Sequence, residues 1–179
     1  MTQTRTERLD LAIPTLDDLD QLHSIQSDPR VWTHFPRLRP TRRDQTRVLL
    51  DAWIARWQRD GLGSWIVRLR DSSEIIGSGG CTLRGAVLWN LGYRFHADQQ
   101  GNGYATEVAT AAIAAAHQLR ADVPIVAYLV EHNAASARVA QKIGLELVDR
   151  VPDADDRSYT RLIFADRPLG PEALHAART

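Results

Sequence analysis

A single cysteine, Cys81, occurs in 179 residues, so no intrachain disulfide can form. The chain is not a disulfide-stapled scaffold, and a reducing compartment is compatible with it. Cys81 lies in a strand-like run, where a small buried apolar residue is a commoner role than a nucleophile. Net charge is also missing: 22 Lys+Arg and 22 Asp+Glu cancel to +0. The bulk charge therefore gives no footprint for nucleic acid or an anionic membrane, and any basic patch must be local. No apolar run reaches the ~18–20 residues of a membrane span, and the first residues carry no apolar signal core. A cytoplasmic protein is expected, without nucleic-acid or membrane partners and without a metal site.

What is present is ordinary in bulk: 44% hydrophobic and 25% charged residues, as in a globular protein. A chain of this length fits one domain and buries roughly 70% of its extended surface on folding. One domain over residues 1–179 is expected, with a Pro-, Gly- and Ala-rich tail from Asp166 that gives no clear element.

The informative stretch is Gln100-Gly101-Asn102-Gly103-Tyr104-Ala105-Thr106-Glu107, between a strand-like run and an alanine-rich run, 105–119. Strand, glycine turn, helix leaves backbone N–H groups free at a helix N-terminus, where the macrodipole also favours an anion. Two glycines let the backbone curl around a phosphate, although they also suit a plain strand-to-helix turn. A P-loop needs a Gly-Lys-Ser/Thr sequence, and no lysine lies near. A dinucleotide fingerprint needs a third glycine where Thr106 stands, though Glu131 ends the next strand-like run as a ribose-binding acid might. A nicotinamide-dependent oxidoreductase thus stays an alternative.

The remaining elements follow in order. Residues 8–13 alternate as a first strand, and Thr15 caps a helix with the stripe Leu16, Leu19, Leu22 and Ile25. Residues 31–40 form an irregular link whose Trp32 and Phe35 either pack on the core or line a pocket. Thr41, with Asp44, caps a second helix carrying Trp53 and Trp57 at i,i+4. Three strands over 64–70, 75–83 and 87–95 make an antiparallel meander into the glycine turn, unlike a doubly wound sheet. The alanine-rich helix can approach a sheet closely. Residues 123–130 form a further strand, Asn133 caps another helix ending at Gly144, and two strands over 145–151 and 158–164 complete the pattern.

Gln100-x-x-Gly103-x-Ala105 resembles the pyrophosphate signature Q/R-x-x-G-x-G/A of the GNAT N-acetyltransferase superfamily. The string from Gly101 to Glu107 looks like its RimJ/RimL branch, which acetylates protein N-termini and other amines. Asn133-x-x-Ser136-x-Arg138-Val139-Ala140-x-Lys142-x-Gly144-Leu145 is similar to a second segment of that branch, with Leu145 for the usual Phe. The element order β-α-α-β-β-β-α-β-α-β-β is also that of the family. The resemblance implies an α/β (α+β) GNAT fold, a mixed, mostly antiparallel sheet of about seven strands flanked by four helices.

It also implies acetyl-CoA as cofactor. The turn Gln100, Gly101, Asn102, Gly103, Tyr104, Ala105 and Thr106 would hold the pyrophosphate. Backbone donors around Tyr93, Arg94 and Phe95 would hold the pantetheine amides and thioester oxygen. Asn133 would contact the pantetheine arm, a role compatible with helix capping. Many family members place a tyrosine where this chain has Ala140, so Ser136 is the substitute proton donor, if it does more than assist capping. A general base is less evident. Asn90 occupies a position where relatives often carry an acid and can only orient an amine or a water. His34 has a suitable reference pKa, while Glu107 reads as a dipole-favoured structural acid. An α-amine acceptor would need no strong base, since its reference pKa near 8 leaves a neutral fraction. The expected function is acetyl transfer to a primary amine of a peptide or small molecule, the alternative a non-catalytic acyl-CoA-binding module. A homodimer is the assembly to look for.

Overall fold

The computed structural model describes residues 4–178. Eight strands and five helices follow one another in chain order. They are β1 (Thr4–Arg5), β2 (Leu9–Ala12), α1 (Leu19–Gln26), α2 (Arg43–Asp60), β3 (Ser64–Leu69), β4 (Ile75–Arg84), β5 (Leu88–Phe95) and α3 (Tyr104–Arg120). Then come β6 (Ile125–Val130), α4 (Ala134–Lys142), β7 (Glu146–Pro152), β8 (Thr160–Ala165) and α5 (Pro171–Arg178). The expected GNAT arrangement is present, with one short strand and one tail helix more than the sequence suggested. Two residues of β1 are too few for a periodic signal. Helix α5 buries only Ala173 and Ala177, so its apolar stripe is weak in the sequence.

The sheet runs β1-β2-β3-β4-β5-β6-β8-β7, antiparallel throughout except between β5 and β6. That parallel contact is brief: Trp89 pairs with Ile125 and Asn90 with Val126, and no later residues pair. Residues 91–95 keep their partners on β4, while β6 continues along β8. The two halves of the sheet therefore part in the middle, which leaves one edge of β5 with unpaired backbone groups.

Helix α3 lies across one face. Ala109, Ala112 and Ala116 are fully buried, and their small side chains let the axis come close to the sheet. At the contact, a Cβ on Gly79 of β4 would fall 2.9 Å from Val108 Cγ1, so only glycine fits there. Trp65, Trp89, Leu91 and Phe95 complete this main core. Helices α1 and α2 cover the opposite face of β3 and β4 through Leu19, Leu22, Ile25, Leu50 and Trp53. Leu16, expected in that stripe, is exposed because its turn is 3-10 and precedes α1.

The cap of α2 also differs from expectation. Its cap is Arg42, and the Gln45 Oε1 atom accepts from the backbone N–H groups of Thr41 and Arg42. Asp44 instead pairs with Arg42 at 2.8 Å. Glutamine at the third position reaches back as well as an acid does, and the boundary moves by one residue. Cys81 is fully buried in β4, and burial pushes its thiol up, away from reactivity, as its place in the sequence suggested.

Candidate active site

The parting of β5 and β6 opens a cleft of about 590 Å³. One wall is the end of β5 with Tyr93, Arg94 and Phe95. The floor is the turn into α3, and the other wall is the first two turns of α4. Gly101 and Gly103 both have φ of +83°, a left-handed conformation that disfavours other residues. The residue before helix α3 is Gly103, which has no side chain to cap it. The first-turn amides of Tyr104, Ala105 and Thr106 therefore lack a side-chain acceptor, and they border the cleft.

The turn is braced from behind. Glu107 accepts from Thr6 Oγ1 at 2.5 Å, from the Arg8 backbone N–H at 2.8 Å and from Arg8 Nε at 2.8 Å. Arg8 Nη1 donates to the Asn102 carbonyl at 2.9 Å, and its guanidinium lies 4.8 Å from the Tyr104 ring centre. Burial pushes the Glu107 carboxyl up, but the Thr6 and Arg8 donors outweigh it and hold the group below the usual carboxylate range. Glu107 is thus a structural acid. Arg8 is a brace the sequence did not reveal, because nothing local links position 8 to a turn about a hundred residues later.

Not every residue of the turn faces the cleft. Gln100, Gly101, Gly103, Tyr104, Ala105 and Thr106 border it, whereas Asn102 does not. The Asn102 amide donates to the Gln99 carbonyl at 3.1 Å, so its role is to shape the turn. The Gln100 amide folds back on the Phe95 carbonyl at 3.3 Å, tying the strand end to the turn. Across the cleft, Arg138 and Lys142 on α4 have no carboxylate partner among the described residues, and no carboxylate lines the cleft. Uncapped amides, two free cations and no anion suit a polyanionic ligand.

A second cleft, of about 320 Å³, lies on the other side of the parted strands. Trp32, Phe35, Trp53 and Tyr128 form its aromatic walls, and Asn90, Gly92 and Arg94 line it from alternate positions of β5. Trp32 and Phe35 are 8% and 5% exposed, so the link both packs on the core and lines a pocket. His34, Tyr93, Arg94, Asn133 and Ser136 border both clefts. These five mark the junction, and four of the five were expected on cofactor contact or catalysis at the sequence level, with His34 the fifth as candidate base. Asn90 borders only the second cleft, at the last paired position before the strands part.

At the junction, Asn133 Oδ1 accepts from the Ser136 backbone N–H at 3.1 Å, which makes Asn133 a true cap of α4. The Tyr93 hydroxyl donates to the Ser136 carbonyl at 3.3 Å, and burial pushes the phenol up to about 12. The Ser136 hydroxyl itself makes no hydrogen bond among the described residues. His34 is pushed down to about 4 by burial, with the Arg94, His132 and Arg161 charges adding to the effect. It is neutral at pH 7, yet too weak a base to take a proton efficiently there.

A sheet split between two parallel strands, with an anion-ready helix N-terminus on one side and a small aromatic cleft on the other, defines a two-substrate group-transfer enzyme. Residues 8–146 match the acetyltransferase (GNAT) domain family. The chain belongs to that family, is an acetyltransferase, and uses acetyl-CoA. It is 30% identical over 151 residues to the uncharacterised protein YkkB of Bacillus subtilis (strain 168), covering 80% of this chain and 85% of that protein. An acetyltransferase from Agrobacterium tumefaciens C58 superposes with a TM-score of 0.78 at 26% identity, covering 94% of this chain and 95% of that chain. The RimL ribosomal L7/L12 α-N-protein acetyltransferase, solved in complex with coenzyme A, gives 0.74 at 19% identity, covering 92% and 96%. The antiparallel meander leading into the glycine turn, together with the family match, leaves no place for the nicotinamide alternative.

Proposed function

We propose that the chain is a RimJ/RimL-like N-acetyltransferase that moves an acetyl group from acetyl-CoA in the larger cleft to a primary amine in the smaller one. The observation that carries this reading is the junction: two clefts of different chemistry meet at Tyr93, Asn133 and Ser136, beside the unpaired edge of β5. Acetyl-CoA supplies the activated thioester. In this reading the Tyr104–Thr106 amides bind its pyrophosphate, with Arg138 and Lys142 adding charge at the rim. The unpaired backbone N–H groups of residues 91–95 face the parted region and serve as donors to the pantetheine amides and to the thioester oxygen.

The amine nitrogen bonds to the acetyl carbon, the carbon–sulfur bond breaks, and the nitrogen gives up one proton to water. Ser136 protonates the departing sulfur and is reprotonated from solvent. No residue at the junction has a base strength suited to pH 7, and the burial that pushes His34 down, with the Arg94 and Arg161 charges adding to it, also disfavours a bound ammonium. The acceptor therefore binds as the neutral amine, and Asn90 orients it.

Thiol release from acetyl-CoA against a panel of peptides, polyamines and aminoglycosides tests the reading. Release that depends on an acceptor is expected. Acetyl-CoA binding without release for any amine would reduce the chain to an acyl-CoA-binding module.

A further inference from the structure

Arg94 is the feature that acetyl transfer to a generic amine does not explain. It projects from the face of β5 shared with Asn90 and Gly92 and borders both clefts. One Nη1 proton goes to the Val31 carbonyl at 2.6 Å. The guanidinium carbon lies 3.4 Å from the Trp32 ring centre, so one face is covered by indole. Among the described residues no carboxylate meets Arg94, and no acceptor is bonded to its Nε or Nη2 groups. Burial pushes the guanidinium down to about 10, with no nearby anion to offset it.

Arg161, the other arginine of the smaller cleft, provides the contrast. It is paired with Asp153, a carboxylate only 3% exposed, while its guanidinium lies 5.1 Å from the Phe35 ring centre. One guanidinium in this cleft has its counter-ion from the chain and the other has none. A partly buried cation held rigidly by a carbonyl and a ring, with a free N–H edge, is pre-organised for a planar oxyanion. Beside it, Gly92 leaves space: a Cβ there would meet nothing within 4 Å, and its φ is not left-handed. Neither packing nor backbone geometry requires glycine at that strand position, and the open space it leaves beside Arg94 can admit a ligand.

We infer that the acceptor is an amine that also carries a carboxylate, with the Arg94 edge taking the carboxylate and the walls formed by Trp32, Phe35 and Tyr128 taking an apolar body. The cleft volume of about 320 Å³ limits that acceptor to the size of an amino acid or a short peptide end. The inference rests on the smaller cleft being the acceptor site.

The test uses matched pairs of amines, each as the free acid and as its carboxamide, with an aromatic or aliphatic side chain. Two quantities are measured on wild type, Arg94→Gln and Arg94→Lys: calorimetric affinity for the CoA-loaded protein, and kcat/KM for acetylation. Acids are expected to bind at least tenfold more tightly than their amides to wild type. Arg94→Gln should abolish that preference, Arg94→Lys should restore part of it, and acetyl-CoA affinity should stay within about twofold. Equal affinity of wild type for acid and amide overturns the inference, even where acetylation proceeds. So does an Arg94→Gln variant that loses acetyl-CoA affinity while keeping the acid preference, which would assign Arg94 to the cofactor. Arg94-dependent acid binding without any turnover would uphold the inference and remove the catalytic reading instead.

Discussion

Ser136 spends its backbone at the junction and leaves its side chain free. Its N–H goes to the Asn133 cap and its carbonyl to Tyr93, so truncating the hydroxyl breaks neither contact. Ser136→Ala should therefore lower kcat by the ~10²–10⁴ typical of a general acid, with thermal stability and acetyl-CoA affinity close to wild type. A kcat loss under threefold would remove the acid role and point to the Tyr93 hydroxyl, which at about 12 stays protonated at working pH. Glu107 makes the opposite kind of claim. Because its carboxyl is held low by Thr6 and Arg8, its contribution to stability is present above the unfolded-state pKa and is lost as pH falls through the folded value. Glu107→Ala should destabilise by about 1–3 kcal/mol at pH 7, and the gap should close in acid; a gap constant with pH would contradict the charge-assisted brace. The Asn133 cap and the two glycines of the turn were legible in the sequence because caps and turns are local. Arg8 and Arg94 were not read as they act, since their roles come from contacts 99 and 63 residues away.

At the scale of elements, the parted strands do the organising. The meander, the alanine-rich helix and the Asn133 cap were all legible, since each depends on residues within a turn or two of one another. No pattern within β5 or β6 encodes how briefly they pair, because that length is fixed by β4 and β8 on their far sides. The same distance effect hid α5, whose buried Ala177 packs with Leu88, Val126 and Ile163. Gly92 tests the division of labour between the clefts. Gly92→Val places a β-branched side chain in open space on a strand, so folding stability should hold or rise slightly. The acceptor KM should rise at least tenfold, while acetyl-CoA affinity, which draws on the backbone of this strand and not on its side chains, stays unchanged. Loss of acetyl-CoA binding with normal acceptor KM would reverse the assignment of the clefts.

For the whole molecule, the division is between a rigid scaffold and two clefts of unlike charge and polarity. The larger cleft presents backbone amides and free cations, while the smaller one is aromatic with a single unmatched guanidinium. Among the described residues no helix is long and apolar enough to cross a membrane, and no cluster of metal-ligating side chains is present. Fold and cofactor were legible because the glycine turn and the α4 segment carry them in short strings. The acceptor was not, because its cleft is assembled from the 31–40 link, α2, β5, β6 and β8, which have no common sequence signal.

The central claim is that the α3 N-terminus binds the cofactor's phosphates, and Thr106→Glu tests it most directly. Thr106 is the third residue of α3, borders the cleft, and makes no side-chain hydrogen bond among the described residues. An acid there suits the helix dipole, so the melting temperature should hold or rise, yet the added carboxylate opposes a bound polyanion. Calorimetry should show acetyl-CoA affinity reduced at least tenfold in a protein at least as stable as wild type. Undiminished affinity in that folded variant would contradict the account.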